Sequence, residues 1–97
     1  MLPMPVERDD LPVSAEAWIA VEVLGAWVHV QPCADTARML VMLCGSLADE
    51  RERYTAALAR HDLAAADESA AEQRDIVSLA AVCADHLKHV GYVPGAL

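Results

Sequence analysis

The sequence predicts an all-α fold, a three-helix up-down bundle that contains a long helical hairpin. Apolar residues recur at steps of three, four and seven over residues 35–90, which is the spacing of one face of an α-helix. The hydrophobic fraction is 56%, and much of it is alanine, which favours helix. Because 97 residues leave room for one core, we expect a single domain at residues 14–91. An extended arm at residues 1–13 precedes it, and a tail at 92–97 follows it.

The first helix is predicted over residues 14–30, with Ser14 as its N-cap. This run is apolar on nearly every side except for a narrow polar stripe. A helix of this kind must be covered on most of its sides, and two partner helices cover only one of them. We therefore predict a homodimer with the first helix in or near the interface. The residues expected at this dimer or partner interface are Trp18, Val21, Trp27 and Val28.

Two other interpretations of the same run are weaker. A membrane span needs about 20 predominantly apolar residues, and this run is shorter and contains Glu22 and His29. A β-hairpin would pair residues 20–23 with 26–30 across Leu-Gly, which is a poor two-residue turn compared with Asn-Gly. The helix is therefore the favoured interpretation.

The hairpin consists of two further helices, predicted over residues 35–61 and 69–90 with a break near 61–67. This break is rich in alanine, so both a loop and a partly helical connection fit it. Asp35 or Thr36 is the expected N-cap of the first arm, and Ser69 with Glu72 has the spacing of a capping box for the second. Gly91 is expected to end the second arm in the left-handed conformation. The predicted apolar stripes are Leu40, Leu43, Cys44, Leu47, Tyr54 and Leu58 on the first arm, and Ile76, Leu79, Cys83, Leu87 and Val90 on the second.

Charge and cysteine content narrow the classes of function. The net charge of −8 argues against direct binding of nucleic acid or of anionic membranes, and it permits a basic protein partner. Cys33, Cys44 and Cys83 are an odd number without a C-x-x-C motif, so a disulfide framework is not expected. Cys44 and Cys83 are expected in the core. Acidic residues near the N-terminus do not suit a signal peptide, and we therefore expect a cytoplasmic protein.

Charged residues interrupt the apolar stripes of the hairpin. Glu50 falls where the stripe of the first arm should continue, and Glu72 and Asp75 lie at the inner edge of the second. Charges are costly to bury unless they are paired or bound to a metal. One explanation is a salt-bridge layer with the neighbouring arginines. The other is a magnesium site formed by Glu50, Glu72 and Asp75, because Mg²⁺ prefers oxygen ligands.

The segments LADE at residues 47–50 and EQRDIV at 72–77 resemble the E-x-x-E and E-x-x-D motifs of the all-α nucleoside triphosphate pyrophosphohydrolases, the MazG-like superfamily. The resemblance covers residues 40–90. It implies a helical, dimeric, Mg-dependent enzyme, active or degenerate, that releases pyrophosphate. Glu50 matches the first acid, and Glu72 and Asp75 match the second pair. Arg53 stands where the other acid of the first pair belongs, which departs from the family pattern.

No complete catalytic set is present in the sequence. Cys83, His86 and His89 have metal-ligand chemistry but lack a further ligand, and the two histidines suit the end of a helix. We therefore expect a small acidic non-enzymatic protein-binding module without a cofactor, an adaptor or inhibitor. A helix-rich accessory factor from a phage or other mobile element would have this composition. The alternative is the Mg-dependent pyrophosphohydrolase.

Overall fold

The structure, a computed structural model, describes residues 11–93 and contains three helices and no strand in that range. They are α1 (Ala15–Val30), α2 (Cys33–Ala59) and α3 (Leu63–His89). The predicted all-α three-helix fold is therefore confirmed. Most of the predicted N-terminal arm, and the end of the predicted tail, lie outside the described residues.

α2 and α3 pack along most of their length as an antiparallel pair. Their facing positions follow the alternating steps of three and four that are typical of coiled coils. These positions, all buried or half-buried, are Thr36, Leu40, Leu43, Leu47, Glu50, Tyr54 and Ala57 on α2, and Ala66, Ser69, Gln73, Ile76, Ala80, Cys83 and Leu87 on α3. Cys44, Leu58 and Val90 are exposed, so their predicted places in the stripes were wrong. Small and polar residues hold several of the facing positions, which a search for large apolar residues misses.

The turn of the hairpin is shorter than predicted. α2 ends at Ala59, and α3 begins at Leu63 with Asp62 as its N-cap, where the Asp62 carboxylate accepts from the Ala65 N–H at 3.1 Å. The predicted start at Ser69 was therefore wrong, since an alanine-rich stretch follows Asp62 directly and continues the helix. Ser69 is buried inside α3, and its hydroxyl donates to the backbone carbonyl of Glu50 at 2.7 Å.

The starts and ends of the helices show how each is capped. α2 begins at Cys33 with Pro32 in the capping position and without a side-chain cap, so the predicted caps Asp35 and Thr36 lie inside the helix. α3 ends as predicted: Gly91 has φ 73°, and the N–H groups of Gly91 and Tyr92 donate to carbonyls of the last turn. This is the Schellman arrangement that satisfies the free carbonyls of a helix end.

α1 lies along α3 and makes only marginal contact with α2. Its N-cap is Ser14, as predicted, whose hydroxyl accepts from the Ala17 N–H at 3.1 Å. Ser14 also donates to Asp75 of α3, and at the other end the rings of His29 and His86 lie 5.0 Å apart. α1 is therefore parallel to α3 and covers only its second half. Among the described residues, the part of the hairpin near the turn consists of α2 and α3 alone.

Few large apolar side chains are buried in the described part of the chain. The buried apolar residues are Ala17, Val28, Ala57, Ala66, Ile76, Cys83 and Leu87, of which three are alanines. Trp18, Ile19 and Val23 of α1 are each about half exposed or more. A small core of this kind supplies little hydrophobic stabilisation, whereas the exposed side chains would supply more if another surface covered them.

Candidate protein-binding surface

An apolar groove separates α1 from α2 and has α3 as its floor. We call it the α1–α2 groove. Its volume is about 320 Å³. The residues that line it are Ala20, Val23, Leu24 and Trp27 of α1, Met39 and Leu43 of α2, and Leu79 of α3. None of these side chains carries a charge, so the groove is suited to apolar side chains from another helix.

The groove exists because the two ends of α1 are held differently. Gln31 and Pro32 are the only residues between α1 and α2, and they keep the C-terminal end of α1 beside the start of α2. At the N-terminal end, Asp75 of α3 accepts from the Val13 N–H at 2.6 Å, the Ser14 N–H at 3.2 Å and the Ser14 hydroxyl at 2.8 Å. These bonds draw α1 onto α3, and the space beside α2 stays open.

An exposed apolar ridge borders the groove along α1. We call it the α1 ridge, and it consists of Ile19, Val23 and Val30. Their exposed fractions are 63%, 64% and 76%, and their spacing of four and seven residues places them on one face of the helix. Val23 belongs to both the ridge and the groove. A convex and a concave apolar surface therefore lie side by side on the same helix.

The four predicted interface residues do not lie on one surface. Trp27 lines the α1–α2 groove, whereas Val28 is buried and only 2% exposed. Trp18 and Val21 line a separate groove against α3, which residues 11 and 12 also border. Met39 and Leu43, which form the α2 wall of the groove, are not among the predicted interface residues, although Leu43 belongs to the predicted apolar stripe. Its signal is a methionine one position outside the coiled-coil spacing, which widens the apolar face of α2.

A second groove lies between α2 and α3 near their turn and is strongly charged. We call it the hairpin groove, and its volume is about 470 Å³. Its lining residues are Glu50, Arg53, Ala56, Ala57, Arg60, Ala65, Glu68, Ser69 and Glu72. The Glu50 side chain is 12% exposed, and its carboxylate pairs with the exposed Arg53 guanidinium at 3.2 Å. Glu50 and Glu72 thus line the same groove.

Asp75, the third predicted magnesium ligand, is not among the lining residues of the hairpin groove. Both of its carboxylate oxygens accept hydrogen bonds from the start of α1. Within residues 11–93, no three His, Cys, Asp or Glu side chains are arranged to hold a metal ion. Cys83, His86 and His89 are therefore not arranged to hold a metal ion either. The magnesium site stays a prediction, and the geometry gives Asp75 a structural role.

Comparisons of this chain with models of protein families, with curated proteins and with solved structures find no match. In the part of the chain that the structure describes, no helix combines the length and apolar character needed to cross a membrane. The surfaces of the described residues are therefore the evidence from which a function is inferred.

Proposed function

We propose that this chain is a small acidic protein-binding module, an adaptor or inhibitor without catalytic activity, that binds an apolar helix in the α1–α2 groove. One observation carries the proposal: an uncharged groove and an exposed apolar ridge lie side by side along α1 and share Val23. Contiguous exposed apolar surface of this kind is typical of interaction sites, because leaving it in water is unfavourable. All residues that line the groove are apolar, which suits the apolar side chains of a docked helix.

The remaining properties support a cytoplasmic module without nucleic acid or membrane as a direct ligand. The described cysteines are unpaired, including the exposed Cys44, and exposed free thiols fit a reducing compartment. The charge of −8 disfavours contact with phosphate backbones and anionic lipids. A homodimer remains part of the proposal, since a second copy is one source of an apolar helix.

The test compares two matched substitutions in the immobilised protein. Val23→Asp places a charge in the α1–α2 groove, and Val41→Asp places the same charge on the far side of α2, two residues from Met39. Val23 and Val41 are similarly exposed, at 64% and 71%. Each immobilised protein is used for affinity capture of binding partners. We expect the Val41 variant to retain the proteins that the wild type captures and the Val23 variant to lose them. Equal capture by both variants would contradict the proposal.

The alternative function, a Mg-dependent nucleoside triphosphate pyrophosphohydrolase, has one observation in its favour: Glu50 and Glu72 share the hairpin groove. Against it, Glu50 pairs with Arg53 and Asp75 lies outside this groove. Calorimetric titration with Mg²⁺, with and without a non-hydrolysable nucleotide, separates the two functions. Saturable binding that is lost in Glu72→Gln would favour the enzyme. We expect no saturable binding, because Arg53 and Arg60 line the groove beside its three acids, and no three acids of the described residues are arranged to hold a metal ion.

A further inference from the structure

We propose that a second copy of this chain occupies the α1–α2 groove in the free protein, with the α1 ridge of each copy seated in the groove of the other. The inference rests on the proposed function, since it names the partner of the same groove. The sequence predicts only that α1 lies at a dimer interface. The structure adds which face of α1 is used, which wall α2 contributes and how the two copies fit.

The first argument is self-complementarity. In a two-fold dimer the same patch is used by both subunits, so the patch must fit itself. The α1 ridge is convex, the α1–α2 groove is concave, and Val23 belongs to both. A two-fold axis beside Val23 therefore places each ridge opposite a groove. A surface with only a ridge or only a groove could not close in this way.

The second argument is charge. Each copy carries a net charge of −8, so contact between two copies is favoured where the surface is uncharged. The exposed acids of α1, Glu16 and Glu22, are not among the residues of the groove or the ridge. The lining of the α1–α2 groove contains no charged residue. The hairpin groove, by contrast, contains Glu50, Glu68 and Glu72 and would repel its own copy. An uncharged lining also offers nothing to attract a basic partner, which favours a second copy over such a protein.

The third argument is area. α1 has 16 residues and is therefore about 24 Å long, and a strip two helices wide measures about 20 Å across. This strip has a projected area of about 500 Å², and its accessible surface is larger because it is corrugated. An interface of standard size buries about 800 Å² on each partner, so this strip supplies more than half of that area and the rest must come from neighbouring apolar side chains. Met42, one turn along α2 from Met39 and 67% exposed, extends the apolar surface on the groove side.

Sedimentation velocity over a wide range of protein concentration tests the inference. The samples are the wild type, Val23→Asp, Val23→Arg and the control Val41→Asp, each checked for helical content by circular dichroism. We expect the wild type and the Val41 variant to sediment as dimers of the 10.4 kDa chain. The dissociation constant of the dimer should be at least about 100-fold higher in both Val23 variants than in the wild type, because either charge would be buried in an apolar contact. Using both signs of charge separates groove burial from the change in net charge.

The outcomes separate this inference from the proposed function. A wild type that is monomeric at every concentration, or a dimer that both Val23 variants retain, overturns the inference. In either case the capture experiment decides the proposed function on its own, because selective loss of captured proteins in Val23→Asp would still support an apolar groove for another helix. If capture is also unchanged, both proposals fail.

Discussion

The Asp75 carboxylate fixes the position of α1 on α3 by accepting three hydrogen bonds from Val13 and Ser14. In Asp75→Asn only one side-chain oxygen remains to accept hydrogen bonds, and the amide NH₂ that replaces the other oxygen is itself a donor placed against the donors of Val13 and Ser14. We expect the free energy of unfolding, measured by urea denaturation, to fall by about 1–3 kcal/mol. Ser14→Ala should lower it by about 1 kcal/mol, and the two changes should not be additive because they share the same bonds.

The sign of the Asp75→Asn effect also bears on the magnesium hypothesis. If Asp75 belonged to an empty cluster of acids, its neutralisation would relieve repulsion and raise the stability of the metal-free protein. A rise would therefore contradict the role of Asp75 in holding α1.

His61 follows the end of α2 as Gly91 follows the end of α3, and it has the same left-handed backbone conformation, with φ 57°. The Asp62 N–H donates to the Ala57 carbonyl at 2.9 Å and completes the cap of α2. A residue with a Cβ is strained in this conformation, and glycine is not. We expect His61→Gly to raise the free energy of unfolding by about 0.5–1 kcal/mol, since His61 is exposed and loses no packing. Gly91→Ala is the reverse change, since it adds a Cβ at the equivalent position after α3, and it should lower the free energy of unfolding by about 1 kcal/mol.

Burial raises the pKa of the Cys83 thiol above its ordinary value, because the thiolate would lose its hydration. The folded state therefore holds this proton more tightly than the unfolded state does. The resulting stability is fully present below the ordinary thiol pKa of about 8.5 and is lost as the pH rises through the folded-state pKa. We expect urea denaturation to show stability falling above that pH, with a smaller fall in Cys83→Val. Cys44→Val, which removes an exposed thiol, is the matched control. Identical slopes in the wild type and Cys83→Val would contradict this effect.

At the scale of the helices, α2 and α3 approach each other near the turn through small side chains. Ala57 and Ala66 are 1% and 3% exposed. Ala57→Leu should lower the free energy of unfolding by about 1–3 kcal/mol, because the added atoms have no space. Thermal denaturation should show this as a decrease in Tm of about 4–8 °C per kcal/mol. Ala56→Leu, at the exposed neighbour, should change the stability by less than about 0.5 kcal/mol. Equal effects of the two substitutions would show that the helices are not closely packed there.

The number and type of helices could be predicted from the sequence because periodicity and capping are local. Ser14 and Gly91 were identified correctly as signals of this kind. The start of α3 was not identified correctly, since Asp62 and Ser69 both suit a helix N-terminus. The alanine-rich stretch after Asp62 favours the earlier start, and the buried bond from the Ser69 hydroxyl to the Glu50 carbonyl, which joins residues 19 positions apart, ties Ser69 to α2 from inside the helix. Local patterns carry no information about such contacts.

At the scale of the whole molecule, the α1–α2 groove depends on a contact that the sequence does not reveal. The bonds between Ser14 and Asp75 join residues 61 positions apart, and they set how far α1 stands from α2. Composition predicts that α1 needs further cover, because the helix is apolar on most sides. Which side stays open follows only from the packing of α1 on α3. This is why Trp27 was predicted at the surface involved, whereas Met39 and Leu43 were not.

The most direct measurement of the central claim is the fluorescence of Trp27 during dilution of Trp18→Phe, in which Trp27 is the only tryptophan. Trp27 lines the α1–α2 groove, so its emission reports whether water or a second copy fills that groove. We predict blue-shifted emission at high concentration and a red shift on dilution, over the range in which sedimentation shows the dimer dissociating. Val23→Asp in the same background should be red-shifted throughout. Emission that stays constant while the dimer dissociates would contradict the claim that the second copy occupies the groove.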